Sequence, residues 1–303
     1  MSPDVAASIK DRLLRTVRSR GEEFERTLAR FAAERLLYRL GESPARSRCL
    51  LKGASLLSVW MDDPYRATRD IDISVFGASD DDAIRSLLEE ICAVACPEDG
   101  VRYDLTGLRI ETLRADEDYP GKRARFRAYL ARARVAVQVD FAFGDALGVD
   151  AEEVTLPPSL EQLPAPRLRC YPREASVAEK FEAMVKLDVR NSRMKDFHDV
   201  WALSTSFAFD GPVLRRAITT CFDRRGTPWT EEMPRVMTPA FYEMAEIATR
   251  WRRYLSGGSV LVQPPAQFEI IGERIREFLG PVRDSVVSRD DFARRWAPGG
   301  PWL

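Results

Sequence analysis

The segment ARVAVQVDFAF constrains the fold of this chain more than any other. Val135, Val137, Val139 and Phe141 alternate with Ala136, Gln138 and Asp140. Successive side chains therefore fall on opposite faces of an extended backbone, one face apolar and one wet. Such a strand needs neighbours, and VRYDL, GLRIETL and ARFRAYL, which precede it, repeat the short alternation. RATRDIDISVFG adds a further strand, with Ile71, Ile73 and Val75 set against Asp70, Asp72 and Ser74. These runs predict a sheet with one face buried and one face in water.

Helical periodicity surrounds this sheet. Ile9, Leu13, Leu14 and Val17, then Phe24, Leu28, Phe31, Ala32 and Leu36, recur at spacings of three and four, giving two helices interrupted near Gly21. CLLKGASLLSVW reads as a short strand, a turn at Gly53 and a helix packed behind it. Ser79 with Asp82 resembles a capping pair for a helix carrying Ile84, Leu87, Leu88 and Ile91. The stretch TLPPSLEQLPAPRLRCYP marks a hinge, because closely spaced prolines oppose continuous helix or sheet. Beyond it the period is helical. SVAEKFEAMVKLDV has Ser176 and Glu179 as a capping box, which assigns Glu179 a structural role, and MKDFHDVWALS starts another helix. Further helices are predicted at 212–222, at 239–255 with Thr238 as cap and Pro239 first, and at 266–279. The fold class expected is α/β (α+β), with domains at 1–165, including the N-terminal helices, and 172–303, mainly helical.

Composition narrows the chemistry. The chain has 303 residues, of which 45% are apolar and 31% charged, enough to build a packed interior and too structured a mixture for disorder or a fibre. Lys and Arg number 46 against 47 Asp and Glu, so no global basic field marks a general nucleic-acid binder. A single histidine and five scattered cysteines supply neither a zinc cluster nor a disulfide framework. No apolar window suits a membrane span and the opening residues lack a secretory core, so a cytoplasmic protein is expected.

Carboxylates remain as the chemical resource. Asp70 and Asp72 stand two apart on one strand and share a face, and Asp140 offers a third carboxylate from a separate strand. Three such acids suit a divalent cation, and hence phosphoryl or nucleotidyl transfer. Gly53 and Ser55, at a strand-to-helix turn, can meet phosphates with backbone amides and a hydroxyl. Acids on the wet side of a half-exposed strand offer a plainer reading of the same aspartates. Lys180 lies beside the apolar stripe of its helix, either as a cation reaching toward a triphosphate or as a lysine at the rim of the core. Lys195 and Asp199, four apart, read either as site residues with Asp196 or as a surface ion pair. His198 reads as lying beside the domain junction without a general-base role, and Trp201 and Trp251 as core anchors. Arg66, Arg69, Arg123, Arg125, Arg127, Arg132 and Arg134 form either a phosphate-backbone patch or ordinary solvated charge.

Together, LKGASLLSVW, RATRDIDISV, VAVQVDF, SVAEKFEAMVKL and RMKDFHDVWAL resemble, in that order, the motifs of the AbiEii toxin family. The resemblance spans about residues 45–205 strongly and the helical remainder weakly. It implies a polymerase-beta-like nucleotidyltransferase core followed by a helical domain. It also implies magnesium (or manganese) dependence and a nucleoside triphosphate as co-substrate. The activity expected is transfer of nucleotides to the acceptor end of tRNA, which blocks translation, with restraint by a separately encoded antitoxin and a monomeric chain. By position, Asp70 and Asp72 would bind metal and triphosphate, and Gly53 and Ser55 would cradle phosphate. Lys180, with Lys195, would contact the nucleotide, and Asp196 or Asp199 would complete the pocket. Asp140 fits the third acid of the wider fold. Ala54 departs from the family, which often has a second glycine there, and its methyl would clash if a positive φ were required. A protein or small hydroxylated acceptor is the alternative within the same chemistry. A nucleotide- or partner-binding module without turnover is the alternative outside it.

Overall fold

The computed structural model describes residues 3–21, 23–61, 70–113, 121–144, 147–258 and 260–303. Two compact units divide the chain. The first takes the described residues up to Cys170 apart from 147–150, and the second takes 147–150 and Tyr171–Leu303.

The first unit opens with α1 (Pro3–Arg20) and α2 (Phe24–Glu42), separated at Gly21 as the periodicity predicts. Then follow β1 (Cys49–Lys52), a 3-10 turn over Gly53–Leu56, the short α3 (Leu57–Trp60), β2 (Ile71–Val75) and α4 (Asp81–Cys92). The long strands β3 (Val101–Leu113), β4 (Gly121–Leu130) and β5 (Ala133–Phe143) form a meander, and β6 (Glu152–Thr155) and β7 (Arg167–Cys170) complete the unit. The seven strands make one sheet in the order β3-β4-β5-β2-β1-β7-β6. It is mixed, because β2 runs parallel to β5 and β1 parallel to β7, while the other pairs are antiparallel.

The alternation read from the sequence sets the two faces. Val135, Val137, Val139 and Phe141 of β5 and Ala124, Phe126 and Ala128 of β4 are buried. On that side α2 packs on β5 and β7, α1 on α2 and β4, and α4 on α2 and β3. The segments VRYDL and GLRIETL, expected as separate strands, are one strand whose register shifts between Asp104 and Arg109. Asp104 causes the irregularity locally, its carboxylate accepting from both the amide and the hydroxyl of Thr106. The proline-rich stretch runs from the end of β6 through the loop and the whole of β7 within the first unit, and its last two residues, Tyr171 and Pro172, follow the boundary.

The second unit is built from α5 (Arg173–Leu187), α6 (Met194–Ser206), the short strand β8 (Phe209–Asp210), α7 (Gly211–Arg224), α8 (Pro239–Tyr242), α9 (Ala245–Leu255), α10 (Phe268–Ser288) and β9 (Arg295–Trp296), which pairs with β8. Phe197, Phe241, Phe268 and Trp251 form its aromatic core. Trp251 is fully buried, as expected of an anchor, and its indole donates to the carbonyl of Pro265; Trp201 is only half-buried.

Several helix starts differ from the sequence reading. Asp80, not Ser79, caps α4 by accepting from the amide of Ala83 at 2.9 Å. α5 begins three residues before Ser176, with Pro172 at its N-cap position, so Ser176 is buried inside the helix and no capping box forms. Glu179 pairs instead with Arg225 at 3.2 Å. The helix expected at 239–255 breaks into α8 and α9 around Glu243 and Met244, and α10 continues beyond 279 through Pro281.

Candidate functional site

Sheet register assembles a polar row in the first unit. Lys52 faces Asp72 across β1 and β2, Asp72 faces Asp140 across β2 and β5, and Asp140 faces Arg123 across β5 and β4. Directly registered residues point to the same face, so Lys52, Asp72, Asp140 and Arg123 line up on the side opposite the core. Asp70 stands exposed one residue before β2. The hydroxyl of Ser55 lies 3.4 Å from the carbonyl of Asp70, a long hydrogen bond joining the turn to the strand.

Gly53 ends the approach of β1 to this row. Its φ is +72°, and a Cβ at that position would lie 2.1 Å from Oδ2 of Asp72. Only glycine permits both the left-handed backbone and this contact. Ala54 lies outside the left-handed region and sits in the 3-10 turn, so its methyl is accommodated and the expected clash does not arise.

Asp140 departs from the arrangement expected of a third metal ligand. Arg123 donates to it twice, Nε to Oδ1 at 2.7 Å and Nη2 to Oδ2 at 2.6 Å. The fork geometry of guanidinium and carboxylate favours this pairing. The hydrogen bonds to Asp140 push the Arg123 guanidinium above its ordinary pKa, against partial desolvation and with help from the charges of Asp140 and Asp70. Among the described residues, no three of His, Cys, Asp and Glu gather as a metal cluster. Asp70 and Asp72 still fit magnesium in its usual nucleotide setting, where one or two carboxylates share the ion with substrate phosphates and water.

The second unit gathers Lys180 of α5 with Asp196 and Asp199 of α6. Nζ of Lys180 lies 2.6 Å from Oδ2 of Asp199 and 3.3 Å from Oδ1 of Asp196. Arg193 approaches Asp196 at 2.7 Å. Both aspartates are fully buried and the lysine side chain is 13% exposed. Asp199 is therefore no surface group, whereas Lys195 stands exposed on the same helix. Burial of two carboxylates requires compensation by cations, and Lys180 with Arg193 supplies it. His198 is also fully buried, its Nδ1 2.8 Å from the hydroxyl of Tyr254 and its ring among Trp201 and Trp251.

Sequence reasoning passed over Lys52 and Arg193 as site residues and took Arg123 only as part of a patch. Lys52 immediately precedes Gly53, a proximity visible in the sequence, whereas the pairing of Arg123 with Asp140 depends on strand register. Of the expected arginine set, Arg66 and Arg69 lie outside the described residues. Arg125, Arg127, Arg132 and Arg134 are exposed. Among the described residues no helix is long and apolar enough to cross a membrane.

No curated protein matches the chain. A crystal structure of JHP933 from Helicobacter pylori is 12% identical, covering 88% of this chain and 98% of that one, with a TM-score of 0.49. A second H. pylori crystal structure, named as a nucleotidyltransferase, is 12% identical over 87% and 97% at the same score. The model of the family described as nucleotidyl transferase AbiEii toxin, type IV toxin–antitoxin system, matches residues 35–279. That span takes in every residue of both clusters, and the chain belongs to the AbiEii family of nucleotidyltransferase toxins.

Proposed function

We propose that this nucleotidyltransferase uses magnesium to transfer nucleotides from a nucleoside triphosphate to the 3′ acceptor end of tRNA, blocking translation in the cytoplasm. The observation that carries the reading is the close approach of Gly53 to the carboxylate of Asp72, on a row shared with Lys52, Asp140 and Arg123. It joins a backbone turn suited to phosphate with a carboxylate suited to a cation. Manganese fits the same oxygen donors.

Asp70 and Asp72 would hold the cation, which would supply charge neutralisation of the triphosphate and a lowered pKa for the acceptor hydroxyl. Gly53 and Ser55 would meet the phosphates through backbone amides and a hydroxyl, beside the Asp72 carboxylate that packs against Gly53. The acceptor hydroxyl attacks the α-phosphorus, the bond to the bridging oxygen breaks, and pyrophosphate leaves with the electron pair while the hydroxyl proton passes to solvent. Arg123, oriented by Asp140, places a fixed positive charge beside the reacting phosphates. Asp140 thus contributes through Arg123, and a direct part in metal binding requires the guanidinium to release it.

Lys180, Lys195, Asp196 and Asp199 take nucleotide-binding and catalytic roles on the pattern of the family motifs. The buried pairing of Lys180 with both aspartates supports a fixed position for its ammonium group. A separately encoded antitoxin is the partner of a type IV toxin.

The test is incubation of the purified chain with tRNA and each labelled nucleoside triphosphate, with magnesium, manganese or chelator. Metal-dependent label at the RNA 3′ end is expected. Label on an added protein or small hydroxylated compound, with none on RNA, moves the acceptor to that class; tight nucleotide binding without any product makes the chain a binding module.

A further inference from the structure

The meander β3-β4-β5 presents a second ordered set of side chains on its wet face. Moving away from the Asp72 row, register pairs Arg109 with Arg125 and Gln138, then Asp104 with Arg127 and Ala136, then Arg102 with Tyr129 and Arg134. Arg102, Arg109, Arg125, Arg127 and Arg134 are all exposed, as is Ala136. Helices cover the opposite, apolar face.

The geometry points to this surface as the docking face for the phosphate backbone of a single-stranded RNA end, guided toward the acidic row. The inference rests on the RNA acceptor proposed above. Its first support is electrostatic. Arg109 and Arg125 stand directly opposite each other across β3 and β4, and like charges in that relation destabilise a sheet. Glu111 relieves Arg125 alone, through contacts of 2.7 and 2.8 Å from Nη1. Asp104, held by Thr106, offsets part of the charge of Arg102 and Arg127, which leaves two carboxylates against the five arginines of the face. The face therefore keeps an excess of positive charge in a chain whose formal net charge is -1, and an anionic polymer relieves the repulsion.

Spacing and residue type support the same occupant. Alternate residues along a strand lie about 6.6 Å apart and neighbouring strands about 4.8 Å apart, so the guanidinium groups form a two-dimensional grid. Each can bond two phosphate oxygens at once. Tyr129 lies on the same face, with Arg102 4.4 Å from its ring centre. An aromatic ring among arginines on an open sheet suits a stacked base. A protein interface would need an apolar centre, and the rows offer only Tyr129 and Ala136. From Arg134 to Asp140 the strand runs about 20 Å, a track that leads from the basic rows to the row holding Asp72.

The experiment measures binding of a single-stranded RNA oligonucleotide and of tRNA to the full chain, with Arg109→Ala, Arg127→Ala and Arg134→Ala combined. These residues are exposed, and the thermal midpoint verifies that the fold is kept. The triple variant is expected to lose at least about tenfold in RNA affinity. Its plot of log affinity against log salt should be shallower by about 2 units. Binding of nucleoside triphosphate should be unchanged. RNA affinity and salt slope equal to the parent overturn the docking face while leaving an RNA acceptor intact. A parent chain that labels no RNA overturns the acceptor, and the docking face with it. Unchanged RNA binding with lost binding of polyglutamate overturns it in favour of an acidic protein partner.

Discussion

Arg123 grips Asp140 through two parallel hydrogen bonds of 2.7 and 2.6 Å, while Asp140 stands in register beside Asp72. The pairing gives the third acid a partner on its own sheet, so in the proposed mechanism Asp70 and Asp72 are the carboxylates that would hold a cation. It also places a cation that cannot lose its proton near neutral pH next to the row where phosphates would lie.

If the pair acts as one unit, Arg123→Ala and Asp140→Asn should each lower nucleotide transfer, and the double variant should be little worse than either. A stability cycle on the same variants should show a coupling of about 1 kcal/mol, since both side chains are partly exposed, 26% and 18%. Fully additive losses of activity would indicate that the two residues work separately.

Gly53 and Ala54 should respond in opposite ways. Gly53→Ala forces a methyl toward Oδ2 of Asp72 at a φ of +72°, at a backbone cost of about 1–2 kcal/mol. Displacement of the carboxylate should reduce turnover by about 100-fold. Ala54→Gly should leave turnover near the parent value, because Ala54 lies outside the left-handed region. Initial rates at saturating triphosphate compare the two.

Lys180 couples the proposed site to stability. Lys180→Ala leaves Asp196 and Asp199 buried with Arg193 as a remaining cation, so a loss of about 3–5 kcal/mol is expected. Urea unfolding measures it. Lys195→Ala, at an exposed position on α6, should change stability by no more than about 0.5 kcal/mol. Equal and small effects for both lysines would contradict the buried network.

How much of this was legible in the sequence follows from the range of each interaction. Alternation in ARVAVQVDFAF and RATRDIDISVFG identified β5, β2 and their buried faces, because period two is a local property of the backbone. The ordered motifs identified the family and, of the two clusters, Asp70, Asp72, Asp140, Lys180, Asp196 and Asp199, but not Lys52 or Arg193. Register is nonlocal, so nothing in the sequence paired Arg123 with Asp140 or set Lys52 beside Asp72. Helix starts were misread where a neighbour competed: Asp80 displaced Ser79 as the cap of α4, and Pro172 moved the start of α5 ahead of Ser176. The burial of Asp199 was equally hidden, since its spacing from Lys195 is also that of a surface pair, while its cation comes from another helix.

The cysteines give a pH dependence with a defined sign. Burial pushes the thiols of Cys49, Cys92, Cys96 and Cys170 from about 9 up to about 12, with Asp99 adding to the rise at Cys96. Between those values the unfolded chain loses protons that the folded chain keeps. The stability contributed by these neutral thiols is therefore full below about pH 9 and is lost as pH climbs toward 12. Urea midpoints across that range should fall, and replacing Cys49 and Cys170 with Ala should flatten the decline. At pH 8 iodoacetamide should react slowly with these four residues in the folded chain and leave nucleotide transfer intact.

The most direct measurement is metal-dependent nucleotide transfer to tRNA by the parent chain and by Asp70→Asn and Asp72→Asn, with thermal midpoints recorded alongside. Both variants should lose about three orders of magnitude or more in rate, with the fold kept, because Asp70 is exposed and Asp72 faces away from the core. Transfer retained by both variants at the parent rate, with the same metal dependence, would contradict the assignment of the chemistry to this row.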